Sequence, residues 1–335
     1  MEVKSRNLVL VLLIGFVVYS IFVAKIGFRE LAGLLGGVSV PFFLLAFGFN
    51  FLNLLAFTMS WRAVVLDEVG FYCLFRFILI GIFVNNVTPT LGTGGEPVKA
   101  MLLGRECGSR KSRSFASVLT HRMLNMLPFI LIAIFGLVAT FLEQQNLNYL
   151  EIAALSISLA MSVSALFLVV YLYQNKDKLE WLVHSSVRLF SPLVRVFKRG
   201  FNPDNYVHEV DRSINAFHEG LSTISSDRWA LKKSVLYSFL GWAFDVLAAY
   251  SVFLALGYRV PLGVLTIAYT IAMIVGLLPV MPGGLGLVDG AMAFLYISYG
   301  VPTSIAMTAT ILYRIASYWM NTALGAIYLW REIKP

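Results

Sequence analysis

Charge is scarce in this chain of 335 residues. Asp, Glu, Lys and Arg together make up 13%, against about 25% in an ordinary soluble protein. Length alone suggests two domains or so. Composition overrides that, because 59% of the residues are hydrophobic and the mean hydropathy is +0.79. No soluble core buries so much apolar surface. A disordered chain, a disulfide-stapled secreted domain and an ordinary cytosolic enzyme are excluded. Cysteine is nearly absent. Cys73 and Cys107 flank one apolar segment without metal-ligand spacing, so neither a disulfide nor a zinc site is expected. Acids are the minority sign, 18 against 26 basic residues, for a net charge of +8. In a membrane protein that excess reports topology rather than nucleic-acid binding. P-loops, nucleophile elbows, Ser/His/Asp constellations and metal spacings are also missing, so no catalytic residue, metal or cofactor is expected.

What the chain does have is apolar runs: Leu8–Ala24, Val40–Trp61, Phe71–Leu91, Phe115–Leu142, Leu150–Tyr173, Trp229–Leu256, Leu262–Pro279, Gly286–Tyr299 and Thr303–Trp330. A helix needs about 20 residues to cross a bilayer, and most of these qualify. The first run is long for a signal peptide, and Phe22-Val23-Ala24 is a poor cleavage site, so it reads as a retained span. Two regions are interrupted, by Asn85 to Pro97 and by Pro279 to Gly286. Irregular backbone survives at membrane depth only when protein or a wet cavity covers it. Re-entrant hairpins fit both regions better than single spans.

Basic residues fix the topology. Lys4, Arg6, Arg62, Arg76, Lys99, Arg105, Arg110, Lys111, Arg113, Arg331, Lys334 and the basic residues from Lys176 to Lys233 fall on one side. Lys25, Arg29 and Arg259 fall on the other, which puts both termini in the cytoplasm. The segment 174–228 carries apolar residues at helical spacing, Leu179 to Phe197 and Tyr206 to Ile224. These read as two amphipathic helices, either a hairpin packed on the bundle or a surface helix drawn to anionic lipid.

The interrupted regions match each other. Pro89 to Glu96 and Pro282 to Asp289 both run from proline, through glycines, to an acid. Arg122 and Arg314 follow in the next spans, 192 residues apart, as are Asn53 and Asp245. With the charge count, the halves are inverted. Inverted repeats with broken helices point to a midplane substrate site. The fold class expected is an all-α polytopic membrane protein with about six full spans and two re-entrant hairpins in an inverted-topology repeat. It forms one membrane domain over 1–335: a first span and outer loop (1–39), repeat 1 (40–142), a connecting span (143–173), the amphipathic segment (174–228) and repeat 2 (229–335).

Glycine lets backbone approach a ligand closely, and the helix after each break starts with free N–H groups that attract anions. Glu96 and Asp289 stand at those starts, as caps or as partners of the repeat's arginine. A charge deep in a span costs at least about 2.5 kcal/mol and is usually paired. Arg314 sits mid-span and Arg122 about two turns in, where it has the alternative of reaching the cytoplasmic face. Arginine suits phosphate recognition. The structural alternative is a salt bridge that locks the broken helices, with Asp245 or Asp289 as partner of Arg314. His121 is a protonation candidate or a buried structural histidine. Asn50, Asn53, Asn85 and Asn86 are candidate interhelical hydrogen-bonders.

At these residues the chain resembles the lysylphosphatidylglycerol synthase transmembrane-region family. Asn86-x-x-Pro89, Gly94-Gly95-Glu96 and Lys99 are similar to its first motif. Pro279-x-x-Pro282-Gly283-Gly284-Leu285-Gly286, the acid Asp289 and Arg314 are similar to its second. Asp289 stands where glutamate is common, and His121-Arg122 where Glu-Arg is common. The resemblance implies a stand-alone flippase-like protein without an aminoacyltransferase domain. The substrate-binding candidates are thus Asn86, Pro89, Gly94, Gly95, Glu96, Lys99, Arg122, Asp245, Pro282, Gly283, Gly284, Gly286, Asp289 and Arg314.

The leading expectation is a lipid translocase of the plasma membrane. Its partner is a membrane lipid, an anionic phospholipid or a polyprenyl-phosphate lipid. Two other classes stay open: a secondary transporter of a small anion, and a non-transporting partner of a glycosyltransferase or lipid-modifying enzyme. Glycine-rich packing leaves room for a homodimer that no residue specifies.

Overall fold

The computed structural model describes residues 5–88, 94–109, 111–143, 226–276 and 281–333, with scattered residues between 156 and 224. Among these, every regular element is helical. They are α1 (Ser5–Ile26), α2 (Phe28–Gly36), α3 (Val40–Val64), α4 (Phe71–Val87), α5 (Gly95–Glu106) and α6 (Lys111–Glu143). After the gap come α7 (Arg228–Ala255), α8 (Leu262–Val275), a 3₁₀ turn at Pro282–Gly284, α9 (Leu287–Ser298) and α10 (Thr303–Arg314). A π turn, Ile315–Trp319, joins α10 to α11 (Met320–Ile333). The expected span Leu150–Tyr173 and the amphipathic segment 174–228 lie outside the described residues but for isolated positions and the start of α7.

Among the described residues, three helices are long and apolar enough to cross a membrane: α3, α6 over Arg113–Leu142, and α7. Phe16 of α1, Phe141 and Leu142 of α6 and Phe294 of α9 are more than half exposed, a pattern suited to hydrocarbon rather than water. The breaks fall close to where Gly and Pro place them. Val87 ends α4, and α5 starts at Gly95 with its first N–H donated to Asn85 Oδ1 at 2.6 Å. Val275 ends α8, and α9 starts at Leu287 after Gly286, whose φ of 84° suits glycine.

Two series of helices follow the same order and similar lengths. In the first, α3, α4 and α5 have 25, 17 and 12 residues. In the second, α7, α8 and α9 have 28, 14 and 12. Each series builds its own core. Leu54, Trp61, Leu74, Phe77 and Leu103 anchor the first; Phe253, Leu265, Tyr269, Met292 and Tyr296 anchor the second.

The series interlock through small residues, as membrane helices do where backbones approach closely. Gly325 of α11 faces the Leu79 carbonyl of α4, while Gly136 of α6 faces Thr266 and Ile267 of α8. Between α3 and α7, Ser60 Oγ contacts Ser234 Oγ at 2.9 Å and Ser238 Oγ at 2.7 Å, and Asn53 Nδ2 donates to the Gly241 carbonyl at 2.9 Å. The two breaks also approach each other. A Cβ on Gly283 would lie 2.8 Å from Asn86 Cα at the end of α4.

Candidate functional site

A cavity of about 340 Å³ opens among α3–α8 and α11, within the usual range for ligand sites. Asn53 and Asp245 line it from the middle of the long helices α3 and α7. Phe57, Ile78, Ile82, Met126, Phe129 and Trp242 supply apolar wall.

One polar cluster faces this space. Glu96, in the first turn of α5, accepts from Arg122 Nη1 of α6 at 2.9 Å through Oε1, and Lys99 Nζ pairs with Oε2. Two cations therefore share one carboxylate. Glu96 and Lys99 are buried, while the Arg122 side chain keeps 33% exposure on the cavity. Lys99 lies against Gly81 of α4, and its Nζ sits 5.7 Å from the Trp61 ring centre. Any Cβ on Gly95 would strike the backbone of Gly81, so glycine lets α5 press onto α4 and carry Glu96 and Lys99 to the cavity. His121 is buried beside them, its Nε2 3.0 Å from Asn125 Nδ2.

A second polar group lines the same space. Asp245 accepts from Tyr269 at 2.6 Å and Tyr313 at 2.9 Å. Asn321 lines it too and exchanges hydrogen bonds with Asn50 at 2.9 and 3.2 Å.

Arg314 and Asp289 form a separate pair, Nε to Oδ1 at 3.2 Å, both buried. Asp289 Oδ2 also accepts from the Gly286 N–H at 2.8 Å, so this acid is both helix cap and arginine partner. Tyr19 of α1 donates to Asp289 Oδ1 at 3.2 Å and accepts from Trp319 Nε1 at 3.0 Å. The Tyr318 ring centre is 4.2 Å from the guanidinium carbon of Arg314.

Of the residues singled out in the sequence, Glu96, Lys99, Arg122 and Asp245 meet at the cavity. Gly95 lets α5 bring Glu96 and Lys99 there, and Gly94 stands at the cap of α5. Asn86 turns instead to Thr322 Oγ1, at 2.8 Å, and its neighbour Asn85 reaches the cavity. Gly283, Gly284 and Gly286 shape the second break with positive φ, beside buried Pro282. Pro89 and Pro279 lie outside the described residues. Sequence reasoning missed Tyr269, Tyr313, Tyr19 and Trp319. One signal was available for Tyr313, which precedes Arg314 as His121 precedes Arg122.

The model of the lysylphosphatidylglycerol synthase transmembrane region matches residues 7–325. The chain belongs to that family. A UPF0104 membrane protein of Methanothermobacter thermautotrophicus is 31% identical over 96% of this chain and 94% of its own length. The UPF0104 membrane protein PH1989 of Pyrococcus horikoshii is 27% identical over 97% of both chains. Glycosyltransferase AglD of Haloferax volcanii is 33% identical over 108 residues, 31% of this chain and 17% of its own length. In keeping with these membrane-protein relatives, the chain is a multi-pass helical membrane protein.

Proposed function

We propose that this protein translocates a phosphate-bearing lipid, an anionic phospholipid or a polyprenyl-phosphate lipid, between the leaflets of the plasma membrane. The carrying observation is the Glu96–Lys99–Arg122 cluster. It holds one cation more than it has carboxylates, on a cavity otherwise walled largely by apolar and aromatic side chains. A headgroup phosphate is a fitting partner for Arg122 and Lys99, and the tails remain in the bilayer. The two helix series, with their matched order and reciprocal glycine contacts, support an inverted repeat with re-entrant hairpins at α4–α5 and α8–α9. Both termini are cytoplasmic by the charge count. Without a P-loop, the drive is an ion gradient or the lipid gradient itself.

The test is reconstitution into liposomes carrying fluorescent anionic and zwitterionic phospholipids, read by a membrane-impermeant quencher. Label accessibility faster than in protein-free liposomes, and lost in Arg122→Gln, supports the reading. No acceleration with either phospholipids or a polyprenyl-phosphate probe overturns it.

The partial match to a glycosyltransferase favours one second reading, a non-transporting partner of a glycosyltransferase. That reading calls for co-purification with a transferase whose activity falls when this protein is removed, together with inert proteoliposomes.

A further inference from the structure

The two arginine–carboxylate pairs differ in their surroundings. Arg122 looks onto an open cavity, whereas Arg314 is covered by α1, a helix outside both series. We infer that the apolar cavity between α1, α2 and α10 is a second lipid-binding site, with Tyr19 as its gate and Arg314 as the partner of the lipid phosphate. This rests on the proposed handling of a phosphate-bearing lipid and adds a site to it.

The cavity holds about 440 Å³. Val23, Leu35, Ile311 and Leu312 wall it, and Phe16 and Ile315, exposed by 72% and 39%, stand at its rim. On a membrane protein such a rim faces hydrocarbon, so an acyl or isoprenoid chain is the occupant that reaches the space without crossing a polar phase. One end is polar. Tyr19 and Trp319 also line the cavity, and their hydrogen-bonded pair seats the Tyr19 hydroxyl on Asp289. Next to this hydroxyl lies Arg314, bound to Asp289 through Nε. Its Nη2 is buried without a hydrogen-bond partner among the described residues.

A buried guanidinium N–H without an acceptor is costly, and a phosphate oxygen is the strong acceptor it lacks. Thr308 Oγ1, on the cavity wall, is likewise buried and has no hydrogen-bond partner among the described residues. The gate is a single side chain. Tyr19 leaves Asp289 by changing rotamer, while Gly15, one turn earlier, keeps α1 flush on Trp319: a Cβ there would lie 2.8 Å from the indole ring. With Tyr19 seated, the space accepts a tail; with Tyr19 released, the headgroup gains Arg314.

The experiment uses the full chain in phosphatidylglycerol nanodiscs doped with one of two photoactivatable probes. One is phosphatidylglycerol with a diazirine on its acyl chain; the other is diacylglycerol with the same chain. Crosslinked peptides are mapped by mass spectrometry. The wild type is expected to capture phosphatidylglycerol on α1 and α10, and Ile315→Trp, a substitution at an exposed rim position, to remove that capture. Tyr19→Phe deletes both hydrogen bonds of the closed gate, the one to Asp289 and the one from Trp319. It should raise phosphatidylglycerol capture by about fivefold or more and leave diacylglycerol capture unchanged.

Absent capture on α1 and α10, capture indifferent to Ile315→Trp, or an equal rise for both probes overturns the inference. If liposomes show no translocation while the capture pattern holds, the translocase reading falls and the lipid site stands. If translocation proceeds without this capture, the second site alone falls.

Discussion

Arg122 holds Nη1 2.9 Å from Glu96 Oε1, yet a third of its side chain stays open to the cavity. Glu96 keeps Lys99 as a second partner. Replacing Arg122 by Gln should therefore cost little stability, about 1 kcal/mol or less. Its effect on a bound phosphate is larger, because a charge-assisted hydrogen bond contributes about 1.5–3 kcal/mol. Arg122→Gln should melt near the wild type in detergent while translocation falls by about tenfold or more. A variant that melts normally and translocates at the wild-type rate would remove Arg122 from the site.

The membrane class, the two broken regions and both arginines were legible in the sequence, because charge inside an apolar run and Gly/Pro within a span are rare enough to stand out. For Glu96 and Asp289 the sequence left two roles open, helix cap or partner of the arginine that follows; both acids pair with that arginine, and Asp289 caps its helix as well. Tertiary contact was not legible. The sequence favoured neither Asp245 nor Asp289 for Arg314; two tyrosine hydroxyls occupy Asp245, which leaves Asp289 to the guanidinium. Nor does any local pattern announce that α1 covers one pair and not the other, since tyrosine and tryptophan are common in membrane helices. Mid-span position made Arg314 the sharper candidate from sequence. Exposure on the cavity brings Arg122 forward.

Arg314 and Asp289 are both buried, so a single substitution leaves one charge without its partner. Such losses cost about 3–5 kcal/mol. Arg314→Gln and Asp289→Asn should each lower the melting temperature sharply. The double variant should recover part of the loss, because no lone charge remains. Thermal melts of the four proteins form the cycle, and additive losses would show that the pair is not coupled.

Gly95 lies against the Gly81 backbone with no room for a methyl group. Gly95→Ala should push α5 off α4, with an overpacking cost of about 1–3 kcal/mol, and carry Glu96 and Lys99 away from Arg122. Gly290, inside α9, meets nothing within 4 Å of an added Cβ. Gly290→Ala should be neutral or stabilising by up to about 1 kcal/mol. Melting temperature and translocation measured on both variants test the contrast. Equal effects would mean that the α4–α5 contact is looser than its geometry.

Asp245 reaches the cavity from α7 with both carboxylate oxygens occupied, by Tyr269 of α8 and Tyr313 of α10. These bonds tie α7, α8 and α10 together at the wall where Trp242 and Met273 also stand. Hydrogen bonds to a charged acceptor contribute about 1.5–3 kcal/mol each. Tyr269→Phe and Tyr313→Phe should each lower stability by about that amount. The double variant should lose more than the sum, because the carboxylate is then left without either donor in a largely apolar surround. Asp245→Asn keeps an acceptor for one hydroxyl and should cost less than the double phenylalanine variant. If Tyr269→Phe with Tyr313→Phe melts like the wild type, water already serves Asp245, and the acid is a solvated wall of the cavity rather than a tie between helices.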